Sequence, residues 1–349
     1  MNILYILGNG FDIAQGMKTR YSDFYKFLNE HYNDCSEVLK ALLDDINEDI
    51  DNWSDMEKAF GLYTNIIGSK EEFIQLHGEL CLKLREYFLN EEENSWVSKY
   101  EKNLESGKGF FLSCETLYHP ESYLREGNKR KFRELWPSYR GKPKIYVVSF
   151  NYTSTFEHLY GIRAGRENID EPGEITQIIH IHGSFDSDEP IIMGVDNKKQ
   201  IGSYSFKFDN RITDIFVKNA LNNALNNARP DDFTNLIKKS DVIVMYGVSM
   251  GDTDDRWWKI IGKEFTNRKL IIIRFLYEKN RNNTNTQLGH FENEQLEYTM
   301  YKMGFRKNLF RPRYPIDYKD RLFLYTNSNI FDRERLEKMM KNGGRYSVE

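Results

Sequence analysis

An α/β fold, a parallel sheet with flanking helices and a helical insertion or cap, is predicted by three features of the 349-residue chain. Short runs of β-branched and apolar residues recur along it and close on glycine or polar residues. Helical patterns separate most of these runs, which is how a parallel sheet with crossover helices reads in sequence. One long stretch, about residues 21–131, is helical in pattern and interrupts the alternation near its start.

The first run, Ile3 to Leu7, stops at Gly8-Asn9-Gly10, as the opening strand of a doubly wound sheet does. Phe24, Phe27 and Leu28 then repeat at helical spacing, as do Leu39, Leu42 and Leu43. Trp53, Met56, Glu57 and Phe60 begin another helix with Ser54 as its N-cap, and Leu76, Leu80, Leu82 and Leu84 belong to a further one. Trp53 and Phe60 are expected to be buried in this block. Lys144–Phe150 is the clearest strand, apolar enough for a central position covered on both faces. Gln177–His182, Asp241–Tyr246 and Leu270–Arg274 are three more, and Ile215–Leu236 and Asp254–Phe265 read as helices. Phe331–Lys341 reads as a charged surface helix and the Asn-rich stretch Asn280–Asn285 as a mobile loop. No internal repeat divides the chain, so residues 1–349 are expected to form a single Rossmann-like α/β domain carrying the helical insertion.

Composition narrows the function. The formal net charge is −4 with 29% charged residues, so nothing demands a polyanionic partner. The short basic patches Lys129–Lys131 and Arg311–Arg313 read as solvated faces. Cys35, Cys81 and Cys114 lie far apart and form no Cys-x-x-Cys pair, so no metal site is expected and a reducing compartment suits them. The apolar start is far shorter than the roughly 20 residues that cross a bilayer. The expectation is a cytoplasmic protein with no membrane partner; whether copies of it form a homo-oligomer stays open.

Four strand ends carry residues capable of chemistry, and in open α/β sheets ligands bind at the carboxyl ends of strands. Gly8, Asn9, Gly10, Phe11 and Asp12 form the first turn, where glycines permit close approach and the amides of a following helix could hold a phosphate. It is not a full Gly-x-Gly-x-x-Gly fingerprint, because position 13 is Ile13. Asn151 follows the strand ending at Phe150 and could orient a sugar hydroxyl or a water, or serve as a turn former before the helix near Ser154. His180 and His182 alternate with Ile181 and so project to one side of their strand; His182, at its end, suits a general base, while His180 suits a hydrogen-bonded core position. Gly247, Ser249, Asp252 and Asp254 belong to the last turn, where either acid could instead cap the next helix.

Taken together these motifs resemble the AbiH family, linked to abortive infection of bacteria by phage. Gly8-Asn9-Gly10-Phe11-Asp12 resembles its opening motif and Asn52-Trp53-Ser54-Asp55-Met56-Glu57 its tryptophan-acid motif. Phe150-Asn151-Tyr152-Thr153, Ile181-His182-Gly183 and Gly247–Asp254 follow in the family's order, so the resemblance runs from Leu4 to about Asp255. The last three also resemble sirtuin-like NAD-consuming domains of phage defence. That likeness implies that Asn151 positions the nicotinamide ribose or an attacking water, that His182 acts as base toward a ribose hydroxyl, and that Gly247 and Ser249 lie near the adenine ribose. Two departures limit it: Gly-Asn-Gly-Phe-Asp replaces the sirtuin Gly-Ala-Gly-x-Ser turn, and Thr153 stands where those domains have an acid. The zinc cysteines of deacylases are absent, which argues against deacylation.

Three functions follow. The first is cleavage of NAD or a related nucleotide at its glycosidic bond, a reaction served by positioning and electrostatics at Asn151 and His182. The second is a nucleotide sensor, triggered by a phage component, with no chemistry of its own. The third is a metal-dependent phosphoesterase or nuclease, for which His180 and His182 with Asp12, Asp252 and Asp254 would be the ligands.

Overall fold

The computed structural model describes residues 1–104, 110–136, 141–162, 175–187, 190–277, 285–306, 320–326 and 328–342. Its centre is a six-stranded sheet of β1 (Asn2–Leu7), β2 (Lys144–Ser149), β3 (Ile175–His180), β4 (Val242–Tyr246), β5 (Ile271–Leu276) and β6 (Leu322–Thr326). The order is β3-β2-β1-β4-β5-β6 and every neighbouring pair is parallel. The chain moves outward from β1 through β2 to β3, then crosses back to lay β4 on the other side of β1. That reversal leaves a crevice beyond the carboxyl ends of β1 and β4, the position where Rossmann sheets receive ligands.

Both faces of the sheet are covered, which is why its strands are apolar throughout: Ile3, Leu4, Tyr5, Ile6 and Leu7 are all fully buried. The helices in chain order are α1 (Gly10–Ala14), α2 (Tyr21–Glu30), α3 (Glu37–Glu48), α4 (Met56–Tyr63), α5 (Lys70–Asn94), α6 (Trp96–Leu104), α7 (Glu126–Leu135), α8 (Thr155–Tyr160), α9 (Tyr204–Lys207), α10 (Asn210–Phe216), α11 (Lys218–Ala224), α12 (Arg229–Lys239), α13 (Asp255–Asn267), α14 (Asn285–Lys302) and α15 (Arg333–Lys341). One face packs Tyr5, Val147 and Val244 against Phe11, Phe156 and Leu336 of α1, α8 and α15. The other packs Leu4, Val148 and Met245 against Phe233, Trp258 and Met300 of α12, α13 and α14.

The third core lies off the sheet. Helices α2 to α5 form the predicted helical block, in which Trp53 and Phe60 are buried. They do not pack alone. Phe185, Met193, Val195, Ile201, Phe206 and Phe216, from the segment between β3 and α11, belong to the same core. The Phe60 and Phe73 rings stack at 5.3 Å and Phe216 meets both edge-on. The cap is therefore built from two separate stretches of chain.

Several boundaries differ from the sequence reading. Asp55, not Ser54, caps α4, accepting from the Lys58 amide at 3.2 Å. The strand read as Gln177–His182 stops at His180, and Ile181 and His182 lie in the turn that precedes Gly183, whose φ is +85°. The helix read over Ile215–Leu236 is three helices. Val217 leaves helical geometry to bridge Val195, and Asn226, at φ +50°, turns the chain before α12. Leu336, Met339 and Met340 of the charged terminal helix are buried. Strand β6 has no counterpart in the sequence reading. The basic patch at Arg311–Arg313 and the Asn-rich loop, apart from Asn285 at the start of α14, fall outside the described residues. Among the described residues no helix is long and apolar enough to cross a membrane.

Candidate functional site

The turns after β1 and β4 are bonded to each other. Gly8 donates its amide to Tyr246 at 3.0 Å and Gly10 donates to the Gly247 carbonyl at 3.0 Å. Gly247 has φ +64°, a conformation that costs glycine nothing and other residues about 1 kcal/mol. The Phe11 amide donates to Gly8 at 2.8 Å. Two of the first amides of α1 are thus engaged within the protein, so this five-residue helix is not the open phosphate cradle that the glycines suggest.

Beyond these turns lies a cavity of about 920 Å³, the size that takes a nucleotide-scale ligand. Gly8, Asn9, Gly10 and Asp12 line it from β1, Asn151 from β2, His182 from β3, and Gly247, Ser249 and Asp254 from β4. Two sequence candidates stand elsewhere. Phe11 is a core residue among Phe156, Tyr246 and Phe331, because the first turn of α1 points it under the sheet. Asp252 pairs with Lys58 at 2.6 Å and Lys302 at 2.5 Å, outside the cavity lining. The cap contributes walls that the sequence did not assign to the site, among them Tyr21, Trp53, Asp55 and Glu57.

Asn151 is held as a positioned amide. Its Nδ2 donates to the Gly8 carbonyl at 3.2 Å, its own amide donates to Ser149 Oγ at 3.1 Å, and its carbonyl accepts from His180 Nδ1 at 3.0 Å. The N-cap position of α8 belongs to Ser154. Asp12 accepts from Thr153 Oγ1 at 2.6 Å through one oxygen while the other is buried without a partner. Burial pushes its carboxyl up to about 7, against the opposing pull of Thr153, Thr155, Asn151 and His180.

His182 is buried beside Phe150, with ring centroids 5.3 Å apart. Its Nε2 lies 3.2 Å from Asp254 Oδ1 but off the line of a hydrogen bond, and both ring nitrogens are buried with no bonded partner. Asp254 does not cap α13 through its side chain; the same oxygen meets Lys218 Nζ at 3.0 Å, and Lys218 reaches Glu57 Oε2 at 2.8 Å. Glu57 Oε1 accepts from the Gly194 amide at 3.0 Å. Burial alone would raise Asp254, but Lys218 and then His182 hold it well below the usual carboxylate range. Burial likewise opposes the charge on Lys218, and Asp254 and Glu57 together outweigh it and keep the ammonium protonated. Burial pushes Glu57 up.

His180 serves another cluster. The turn at Ile181 separates it from His182, so the two rings do not share a face. His180 Nε2 meets Glu157 Oε1 at 2.6 Å; burial lowers the ring's proton affinity, but Glu157 reverses this and raises it to about 9. Glu92, pushed up to about 8 by burial and then by Asp186 and Asp12, accepts from the Ser154 amide at 2.7 Å.

The fold and site define a parallel α/β protein with a ligand-sized cavity at its strand-order reversal, roofed by a two-segment helical cap. The family model described as Bacteriophage abortive infection AbiH matches residues 4–303, most of the chain, which belongs to that family. Its biological setting is therefore defence against phage by abortive infection. No curated protein matches the chain.

Proposed function

We propose that the cavity binds a nucleotide, NAD or a close relative, and hydrolyses its glycosidic bond. The observation that carries this reading is His182: a buried imidazole with neither nitrogen bonded, at the carboxyl edge of the sheet and 3.2 Å from a carboxylate held ionised. An imidazole so placed can take a proton during the reaction, with the Asp254 carboxylate beside it to stabilise the cation. Asn151, tethered to Gly8, orients the ribose or the attacking water. In the reaction, water oxygen bonds to the ribose anomeric carbon and the bond from that carbon to the nicotinamide nitrogen breaks. Its electron pair leaves with nicotinamide, neutralising the ring, and the water proton passes to His182.

A metal-dependent hydrolase has less support. Among the described residues no group of three or more His, Cys, Asp and Glu is arranged to hold a metal, and His180 and His182 diverge. The test is to incubate the purified chain with NAD and separate the products by chromatography. ADP-ribose and nicotinamide are expected in equal amounts. NAD that binds but returns intact would remove the cleavage step and leave a nucleotide sensor.

A further inference from the structure

The far lobe of the same cavity holds a cation with no anion. Arg274, on β5, is 2% exposed, and among the described residues no carboxylate pairs with it. Its Nη1 donates to Thr299 Oγ1 at 2.7 Å and its Nη2 to the Val248 carbonyl at 3.0 Å, while Nε is buried and unbonded. A guanidinium taken out of water normally meets a carboxylate or phosphate, because desolvation of an unpaired charge is costly. Here Arg274 instead lines the cavity, as do Leu276, Tyr277 and Tyr298. Arg20, exposed, lines the same cavity within electrostatic reach of Tyr277 and makes no ion pair among the described residues.

The adjoining turn is arranged to match. Its carbonyls are tied back: Gly247 by the Gly10 amide, Val248 by Arg274, Met250 by the Tyr298 hydroxyl at 3.1 Å and Gly251 by the Trp258 indole at 3.1 Å. Met250 is held at φ +59° in doing so. The amides of Val248, Ser249, Met250 and Gly251 make no hydrogen bond within the described residues, and Ser249 is exposed. Four carbonyls of the turn are engaged, all but that of Ser249, while the Val248–Gly251 amides are left over, the polarity that suits an anion.

We infer that Arg274 and the Val248–Gly251 amides form a subsite for the diphosphate of the bound nucleotide. This rests on the nucleotide reading above and deepens it: the reactive ribose lies at the ends of β2 and β3, and the diphosphate lies across the strand-order reversal, toward β5. It also accounts for where the negative charge goes, since the first amides of α1 are already engaged.

The experiment is calorimetric titration of the full chain with inorganic pyrophosphate and with ADP-ribose, comparing the parent with Arg274→Met. Loss of one charge-assisted contact predicts binding weaker by about 10- to 100-fold for both probes. Should Arg274→Met fail to fold, Ser249→Asp, at an exposed position beside the subsite, is expected to weaken both probes as well. Parent-like ADP-ribose affinity in either folded variant, or no pyrophosphate binding by the parent, overturns the subsite. The two proposals fail separately. Arg274-dependent ADP-ribose binding with NAD left intact keeps the subsite and removes the chemistry. NAD cleavage with unchanged KM in Arg274→Met does the reverse.

Discussion

A methyl group on either Gly10 or Gly247 would stand 2.5 Å from the other glycine's Cα. The two turns that frame the cavity are therefore in backbone contact, and neither can accept a side chain without moving the other. Gly247→Ala adds left-handed strain to this clash and is expected to cost about 2–4 kcal/mol. Gly78→Ala, within α5 where nothing stands within 4 Å of the added carbon, should instead stabilise by about 0.5–1 kcal/mol. Urea unfolding of both variants checks the contrast; equal effects would mean that the glycine contact is not tight.

His182→Ala and His180→Ala are expected to separate activity from stability. The ring of His182 loses no hydrogen bond when removed, so stability should change by roughly 1 kcal/mol while NAD turnover falls by about 10² to 10⁴. His180→Ala leaves Glu157 buried without its partner and should cost about 3 kcal/mol or more. Thermal unfolding beside turnover decides it, and a folded, fully active His182→Ala protein would take this residue out of the mechanism.

Lys218→Met is expected to be among the most damaging single changes in the cap. It leaves the buried Glu57 and the partly buried Asp254 without the lysine that joins them. The predicted loss is about 3–5 kcal/mol. Adding Glu57→Gln should recover part of it by removing one of the two charges; a double variant no more stable than Lys218→Met would show that the lysine acts mainly through packing.

Asp12 sets a pH dependence with a definite sign. Its carboxyl is raised on folding, so the protonated form is favoured in the folded state, and its contribution is fully present at low pH and lost as pH climbs to about 7. Asp12→Asn removes this dependence. The stability of the variant relative to the parent should therefore grow between about pH 4 and pH 7 by a few kcal/mol and stay level above that. Denaturant midpoints across the range test it, and a flat difference would mean that Asp12 ionises freely in the fold.

The strands with β-branched runs were legible in sequence because central parallel strands must be apolar on both faces, and Ile145, Val147, Ile243 and Ile273 are. Strand β6 was not, since Leu322–Thr326 is five residues long and carries no glycine turn to mark its end. Asn151, His182 and Ser249 could be placed at strand ends by counting along the chain. Lys218 and Arg274 could not: one lies at a break within an apparently continuous helix, the other within a strand, and only the fold shows that Lys218 pairs with two acids of the cavity wall and that Arg274 lines the cavity itself. Phe11 and Asp252 went the other way. They sit in motif-bearing turns, yet local geometry sends one into the core and the other to two lysines, the exposed Lys58 and the buried Lys302.

The cap's shared core also constrains how this protein could be cut or grafted. The helical block after β1 resembles a cassette that could be excised by joining its two ends. Excision would strip Phe185, Met193 and Phe216 of their neighbours and leave Lys218 without Glu57. Conversely, the block transplanted by itself would lack the aromatic half of its interior. Roof and floor are interlocked through the segment after β3, so they must be inherited, expressed and engineered as one unit.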